Sequence, residues 1–222
     1  ESEEEGKNLN EEMLIRRQME RFRRREVFHY HKLNDSVAAD RFLGQFRKVT
    51  HAPLNVLVIN FIDILSHART ESRMVRELAS NEAAYRSITL SWFKHTAIKD
   101  LLTYLASLDY DILITTDHGS IRVDAPIRVV GDKNVNTNLR YKVVKNLGYN
   151  KKEVFEMRDP EQYGLPRPNL SSNYIFAEGN KFFAYPNNYN YYVQYYKGTF
   201  QHGGISMEEM IIPIITLHSK KY

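Results

Sequence analysis

Apolar residues form two short continuous runs, at residues 55–60 and 111–116, and periodic stretches elsewhere along the 222-residue chain. A short continuous apolar run is typical of a strand that is buried on both faces of a parallel sheet. Between the two runs, residues 70–80 and 91–107 carry apolar side chains at helical spacing. A strand, helices and a second strand form a crossover, so we predict an α/β protein with a mainly parallel sheet and flanking helices.

The regions on either side of this crossover predict further elements. Residues 10–31 are rich in helix formers and in arginine, and they predict one long, basic, amphipathic helix. We therefore divide the chain into a helical N-terminal segment, residues 1–50, and a later α/β part, residues 51–222. The later part is predicted to contain a strand at 126–130, a helix at 138–146 that ends at Gly148, a hairpin built from 174–177 and 182–185, a strand at 189–196 and a terminal strand at 211–217.

Composition excludes some kinds of site. The chain contains no cysteine, so a metal ion would be bound by His, Asp, Glu or hydroxyl groups. The formal net charge of +4 is spread along the chain, which fits an anionic ligand only weakly. The apolar runs are shorter than the ~20 residues of a membrane helix. The acidic start at residues 1–5 differs from a signal peptide, so we expect a cytoplasmic protein and no membrane partner. A start without Met further suggests an internal part of a longer polypeptide.

Three short motifs stand at predicted strand ends. Asp63 and His67 follow the first strand, and their four-residue spacing on a helix would place the carboxylate and the imidazole on one face. Asp117 and His118 directly follow the second strand, and Gly119 would permit the tight turn that lets both side chains face one metal ion. His202 precedes two glycines that would let the backbone crowd a site.

Each motif is weak alone, because a single histidine is more often structural than a ligand. Together they supply two carboxylates and three imidazoles at strand ends, which is a ligand set that suits Zn²⁺ or Mn²⁺. Ligands of open α/β sheets gather at these ends. His29 and His31 also lie close in sequence, but with no acidic residue at metal-ligand spacing we expect them to pack at the surface or between domains. Arg69, Arg122 and Lys133 lie near the motifs and could assist, although surface positions are commoner for such residues.

The order of these motifs, with Glu-Glu-Met-Ile-Ile-Pro after the final His-Gly-Gly-Ile-Ser, resembles that in the alkaline-phosphatase superfamily. The residues around the motifs resemble those of its PglZ domain. The resemblance covers about residues 54–217. It implies that Asp63, His67 and His202 hold one metal ion and that Asp117 and His118 hold a second. It also implies a further Asp ligand and a Thr or Ser nucleophile. We find no matching strand or nucleophile before Leu54, so we expect both residues upstream of this segment and assign no catalytic nucleophile within it.

The resemblance extends to PglZ domains of response regulators that control the bacterial type IX secretion system. It implies a zinc-dependent phosphodiesterase acting on cyclic or linear oligonucleotides, a receiver domain, a sensor kinase as partner and a homodimer. Two alternatives stay open. In the first, the metal ions only stabilise a non-catalytic regulatory or dimerisation module. In the second, the arginine-rich N-terminal helix binds nucleic acid, and binding then depends steeply on salt.

Overall fold

The computed structural model describes residues 10–33, 36–49, 52–131, 138–144, 147–169 and 171–219, which form a mixed α/β protein. The helices in these ranges are α1 (Glu11–Arg21), α2 (Ser36–Val49), α3 (Phe61–Glu71), α4 (Arg73–Leu78), α5 (Glu82–His95), α6 (Ala97–Ala106), α7 (Tyr189–Tyr196) and α8 (Met207–Met210). The strands are β1 (Phe28–Leu33), β2 (Leu54–Ile59), β3 (Asp111–Thr115), β4 (Ile121–Arg122), β5 (Ala125–Arg128), β6 (Tyr141–Val144), β7 (Val154–Met157), β8 (Asn173–Ala177), β9 (Lys181–Ala184), β10 (Phe200–Gln201) and β11 (Ile214–His218). No helix in the described ranges is long and apolar enough to cross a membrane.

The chain divides into two compact units. The first contains the described residues up to Ile64 together with Arg86–Leu105. Its strands β1 and β2 are parallel neighbours, with Phe28 opposite Leu54. Helix α2 buries Phe42 and Phe46, and the Phe42 ring lies 4.5 Å from the ring of His31 on β1.

The second unit contains Leu65–Tyr85 and the described residues from Ala106 onwards. Its main apolar cluster is formed by side chains from β5, β7, β8 and β9 and their flanks, namely Ile127, Val129, Val154, Ile175, Ala177 and Phe183. Strand β8 lies between β6 and β7 in an antiparallel sheet, while β5 and β9 are parallel. Strand β3 pairs with β11, and β4 pairs with β10, both antiparallel.

The α/β class and the strands predicted from the two continuous apolar runs, now β2 and β3, agree with the sequence analysis. Their predicted burial on both faces is wrong, because Leu54, Leu113 and Ile114 are exposed among the described residues. A mainly parallel central sheet is not evident among the described residues, where β1–β2 and β5–β9 are the parallel pairs. Strand β3 instead has the terminal strand β11 as its antiparallel partner. A buried apolar run specifies a strand, but it carries no information on the direction of the neighbouring strand.

The prediction of one helix over residues 10–31 is wrong in its second half. Helix α1 ends at Arg21, and Arg23 has a positive φ of 56° that breaks the helical path. The chain then forms β1, whose aromatic residues favour an extended backbone. A strand therefore does precede Leu54, contrary to the sequence analysis, although residues 34 and 35 after it lie outside the described ranges.

Three further element predictions need correction. Residues 189–196 form helix α7 rather than a strand, because tyrosines four residues apart stack on one helical face, as Tyr191 and Tyr195 do at 6.0 Å. The helix predicted at 138–146 is strand β6 in its described part, where Val143 favours β structure. Gly148 bridges to Val130 instead of ending a helix. The predicted hairpin strands exist as β8 and β9, but β8 pairs with β6 and β7.

Candidate metal centre

Helix α3 carries the first predicted motif. It begins directly after β2, and the amide of Ile64 donates to the carbonyl oxygen of Asn60 at 3.0 Å. Asp63 and His67 are one turn apart on this helix. The boundary between the two units falls inside α3, after Ile64.

The second motif forms a tight turn after β3. The hydroxyl of Thr116 donates to the carbonyl oxygen of His118 at 2.9 Å, and the amide of His118 donates to the Asp117 carboxylate at 3.1 Å. This is the local side-chain-to-backbone bonding that favours turns. A Cβ at Gly119 would overlap the carbonyl oxygen of Glu208. Glycine, which the sequence analysis expected to permit the turn, is therefore required because the backbone of Glu208 approaches so closely.

The third motif is a glycine loop after β10. Gly203 has a φ of 101°, a conformation that side chains with a Cβ rarely adopt. A Cβ at Gly204 would lie 2.7 Å from side-chain atoms of both Arg140 and Glu209. Asn138 donates to the carbonyl oxygen of His202 at 3.4 Å. The glycines therefore let the loop approach polar side chains closely, as the sequence analysis expected.

Glu209 connects the second and third motifs. Its carboxylate accepts hydrogen bonds from the Gly204 amide at 2.9 Å and from the Ser206 hydroxyl at 2.7 Å. Its backbone carbonyl accepts from the Gly119 amide at 2.8 Å. One residue thus holds the loop that follows His202 and the turn that follows His118.

Arg140 neutralises this carboxylate in the interior. It donates to the two Glu209 carboxylate oxygens at 2.8 Å and 2.7 Å, and the residues are 0% and 3% exposed. Arg140 also donates to the carbonyl oxygen of Lys181. Burial raises the pKa of Glu209, but hydrogen bonds from Arg140, Ser206 and Gly204 outweigh it, so the net pKa lies below the usual value. The pair is therefore charged, and Glu209 supports the loop and the turn from the protein interior.

The two loop histidines meet face to face. The rings of His118 and His202 stack with centroids 3.9 Å apart and an interplanar angle of 10°. The Nδ1 atom of His118 lies 2.9 Å from the carbonyl oxygen of Gly119, which can only accept. Nδ1 therefore carries the proton and leaves Nε2 as an acceptor for a ligand.

Asp63, His118 and His202 each offer one ligand atom, and these atoms lie within 4.8 Å of one another. The cluster thus takes one residue from each predicted motif. His67 and Asp117 are not members of it, and the division of five ligands between two metal ions stays a prediction. Asp117 is nevertheless adjacent, since its carboxylate lies 3.7 Å from Nε2 of His118. His29 and His31 lie on β1 as partly buried packing residues.

The sequence of the chain matches the family model described as the BREX system PglZ alkaline phosphatase-like domain over residues 1–217. The chain belongs to the PglZ family. The match includes the N-terminal segment as well as the part that carries the three motifs. No curated protein is similar enough to the chain to count as a match.

The donor set of this PglZ domain fits a divalent metal ion. Two imidazoles and one carboxylate are the three-ligand set of a zinc site that keeps one position open. The hydrogen bond from Nδ1 of His118 fixes the ring, as outer hydrogen bonds commonly do for histidine ligands. The residues present are therefore suited to hold one cation.

The sequence analysis missed Arg140 and Glu209 as supports of the PglZ site. The sequence Ser-Met-Glu-Glu at residues 206–209 has the pattern of a capping box, and the capping box is present at the start of α8. The same glutamate also binds Arg140, which is 69 positions away. The local sequence around Glu209 therefore indicates the helix cap, whereas nothing near Glu209 in the sequence indicates its distant partner Arg140.

Proposed function

We propose that this PglZ domain is a metal-dependent phosphoesterase, more narrowly a zinc-dependent phosphodiesterase. The observation that carries the proposal is the cluster of Asp63, His118 and His202, which joins all three motifs at one point. Membership of an alkaline phosphatase-like family supports the same reaction class. Phosphoester cleavage needs cationic groups at the phosphoryl oxygens, and a buried scaffold that holds the ligands in place.

Asp63, His118 and His202 would hold one metal ion, and His67 and Asp117 would contribute to a site of two Zn²⁺ or Mn²⁺ ions. Such ions neutralise charge on the phosphoryl oxygens and depress the pKa of the attacking hydroxyl group. The chain itself orients the histidines through Glu209 and Asn138. We further propose that the Thr or Ser nucleophile and one Asp ligand come from sequence upstream of this segment. Together with those upstream residues, the segment would form a mainly parallel sheet.

For the biological setting, we propose a cytoplasmic response regulator similar to PorX of the type IX secretion system. The segment Asn60-Phe-Ile-Asp-Ile-Leu-Ser-His and the turn Thr115-Thr-Asp-His-Gly-Ser120 support that narrower resemblance. Its substrates would be cyclic or linear oligonucleotides. A receiver domain, a sensor kinase and a second copy of the chain would be its partners.

Elemental analysis of the full-length protein tests the proposal. We expect zinc or a similar metal near two equivalents per chain, together with hydrolysis of a chromogenic phosphodiester. Metal without hydrolysis would favour a metal-stapled regulatory module instead. Absence of metal, with no activity after metal is added, would reject both functions.

A further inference from the structure

A basic cleft of about 360 Å³ lies within the second unit. The side chains that define it come from α3, α4, β4 and the turn before β10, namely Arg69, Arg76, Arg122 and Lys197. Arg73 and Glu77 also line it, but the Arg73 guanidinium donates to the Glu77 carboxylate at 3.0 Å. The one carboxylate among the described lining residues is therefore already engaged by an arginine.

Arg69 is the unusual member of this cleft. The residue is 1% exposed, and its Nε and Nη1 atoms are buried without a hydrogen-bond partner. Nη2 makes a long contact of 3.4 Å with the carbonyl oxygen of Ser80, and the guanidinium lies 4.6 Å above the Phe200 ring. A buried cation whose donors are unsatisfied is costly, and an oxyanion that accepts from Nε and Nη1 would offset that cost.

The neighbouring arginines add charge to the same place. Arg76 donates to the backbone carbonyl of Arg69, and Arg122 donates to that of Gly198, each at 3.4 Å. Arg76 and Arg122 both interact unfavourably with the charge on Arg69. A Cβ at Gly198 would lie 3.3 Å from Arg122, at a φ of 76°. The fold thus keeps three like charges together, which an anion would offset.

Strands β4 and β10 connect this cleft to the stacked histidines. Arg122 lies opposite Phe200 in the antiparallel pair. His202 follows Phe200 by two positions, so their Cα atoms are at most ~7 Å apart. His118 precedes Arg122 by four positions, so their Cα atoms are at most ~14 Å apart. The metal-binding end and the arginine end therefore belong to one short ribbon.

We propose that the Arg69–Arg76–Arg122 cleft binds a phosphate group of the substrate other than the one that is hydrolysed. The cleft then selects substrates with at least two phosphates, such as oligonucleotides, over simple phosphate esters. The assignment to a substrate rests on the proposed function. The same chemistry would fit free inorganic phosphate, so the test separates the two sources.

Calorimetric binding to the full-length protein isolates the second phosphate. The probes are a dinucleotide phosphorothioate with a terminal 5′-phosphate, the same compound without it, and inorganic phosphate. We expect the terminal phosphate to tighten binding roughly ten-fold, and Arg122→Gln and Arg76→Gln to remove that gain. Arg158→Gln is the matched control, because Arg158 is an exposed arginine that pairs with Glu156, and it should keep the gain.

Equal affinity for the two dinucleotides, or a gain that survives Arg122→Gln, would overturn the proposal. Arg122-dependent binding of inorganic phosphate without any gain from the terminal phosphate would also overturn it, since the cleft would then serve a free anion. Kinetics add a second readout, in which Arg122→Gln should raise KM for the phosphorylated dinucleotide more than it raises KM for the dinucleotide without the terminal phosphate. If the wild-type protein hydrolyses neither compound, the proposed function fails, whereas the binding comparison still decides the cleft.

Discussion

His118 and His202 are the residues on which the account of the site depends most. Their rings stack within one unit, and Asp63 completes a three-ligand set. Local sequence singled out all three, because each stands in a short motif after a strand. The grouping of the two histidines needed the structure, since the pairing of β10 with β4 brings them together from distant parts of the sequence.

Loss of a cluster ligand should abolish activity. We predict that His202→Ala and Asp63→Asn each lower phosphodiester hydrolysis by roughly 100-fold or more while leaving the fold intact, because each removes a ligand atom from the cation. His29→Ala serves as the control, since His29 lies on β1 outside the cluster, and it should change the rate little. Steady-state rates and circular dichroism of each variant are the measurements. Full activity of His202→Ala would show that the cluster is not the catalytic site.

Glu209 should stabilise the fold in a pH-dependent way. Glu209→Gln leaves the buried Arg140 charge unpaired, so the free energy of unfolding should fall by about 3–5 kcal/mol. Because the pKa of Glu209 is lowered in the folded state, its contribution is fully present above the unfolded pKa of ~4.3 and is lost as pH falls through the lowered value.

Urea unfolding at several pH values measures this effect. Glu12→Gln is the control, since Glu12 forms an exposed ion pair with Arg16 and should change stability by less than ~1 kcal/mol. An equal effect of the two substitutions would contradict a structural role for the Arg140–Glu209 pair.

At the scale of elements, periodicity succeeded where neighbours within one segment decide the structure. Strands β2 and β3 follow from continuous apolar runs. Helical spacing indicates helices between them, although the single helix predicted at 91–107 is divided between α5 and α6. Periodicity failed at residues 189–196, where five tyrosines suit either a strand or a helix and only their stacking on one face selects α7. Residues 141–144 form a strand because β8 supplies a partner whose residues lie 29 to 35 positions away in the sequence.

The turn after β3 should tolerate no side chain at Gly119. We predict that Gly119→Ala destabilises the domain and lowers activity, because the new Cβ would overlap the Glu208 carbonyl and displace His118. Gly44→Ala on α2 is the matched control. A Cβ there meets nothing within 4 Å, so alanine should raise stability by about 0.5–1 kcal/mol through helix propensity. Thermal unfolding of both variants checks the two opposite signs.

At the scale of the whole molecule, the sequence analysis predicted the α/β class and the PglZ resemblance, and the family match confirms the latter. Strand pairing could not be predicted, because partners such as β3 and β11 are about a hundred positions apart. The Arg140–Glu209 pair was missed for the same reason. The three residues of the candidate cluster were thus singled out by the sequence, whereas the scaffold that holds them was not.

The 222-residue segment and the full-length protein should differ in metal content. We predict that the segment binds one metal ion more tightly than a second and hydrolyses no phosphodiester, because the nucleophile and one ligand are expected upstream. The full-length protein should bind both ions and hydrolyse the phosphodiester. Parallel zinc titrations and assays are the measurement. Robust hydrolysis by the segment alone would place a nucleophile within it, for which Thr115 and Thr116 are candidates.

Anomalous diffraction at the zinc edge from crystals of the full-length protein tests the central claim most directly. The account predicts a zinc peak about 2.0–2.2 Å from Nε2 of His118, a His202 nitrogen and an Asp63 oxygen, with a further position open to water or phosphate. A zinc peak elsewhere with this cluster empty, or a cation closed off by protein ligands alone, would contradict a catalytic metal centre at these three residues.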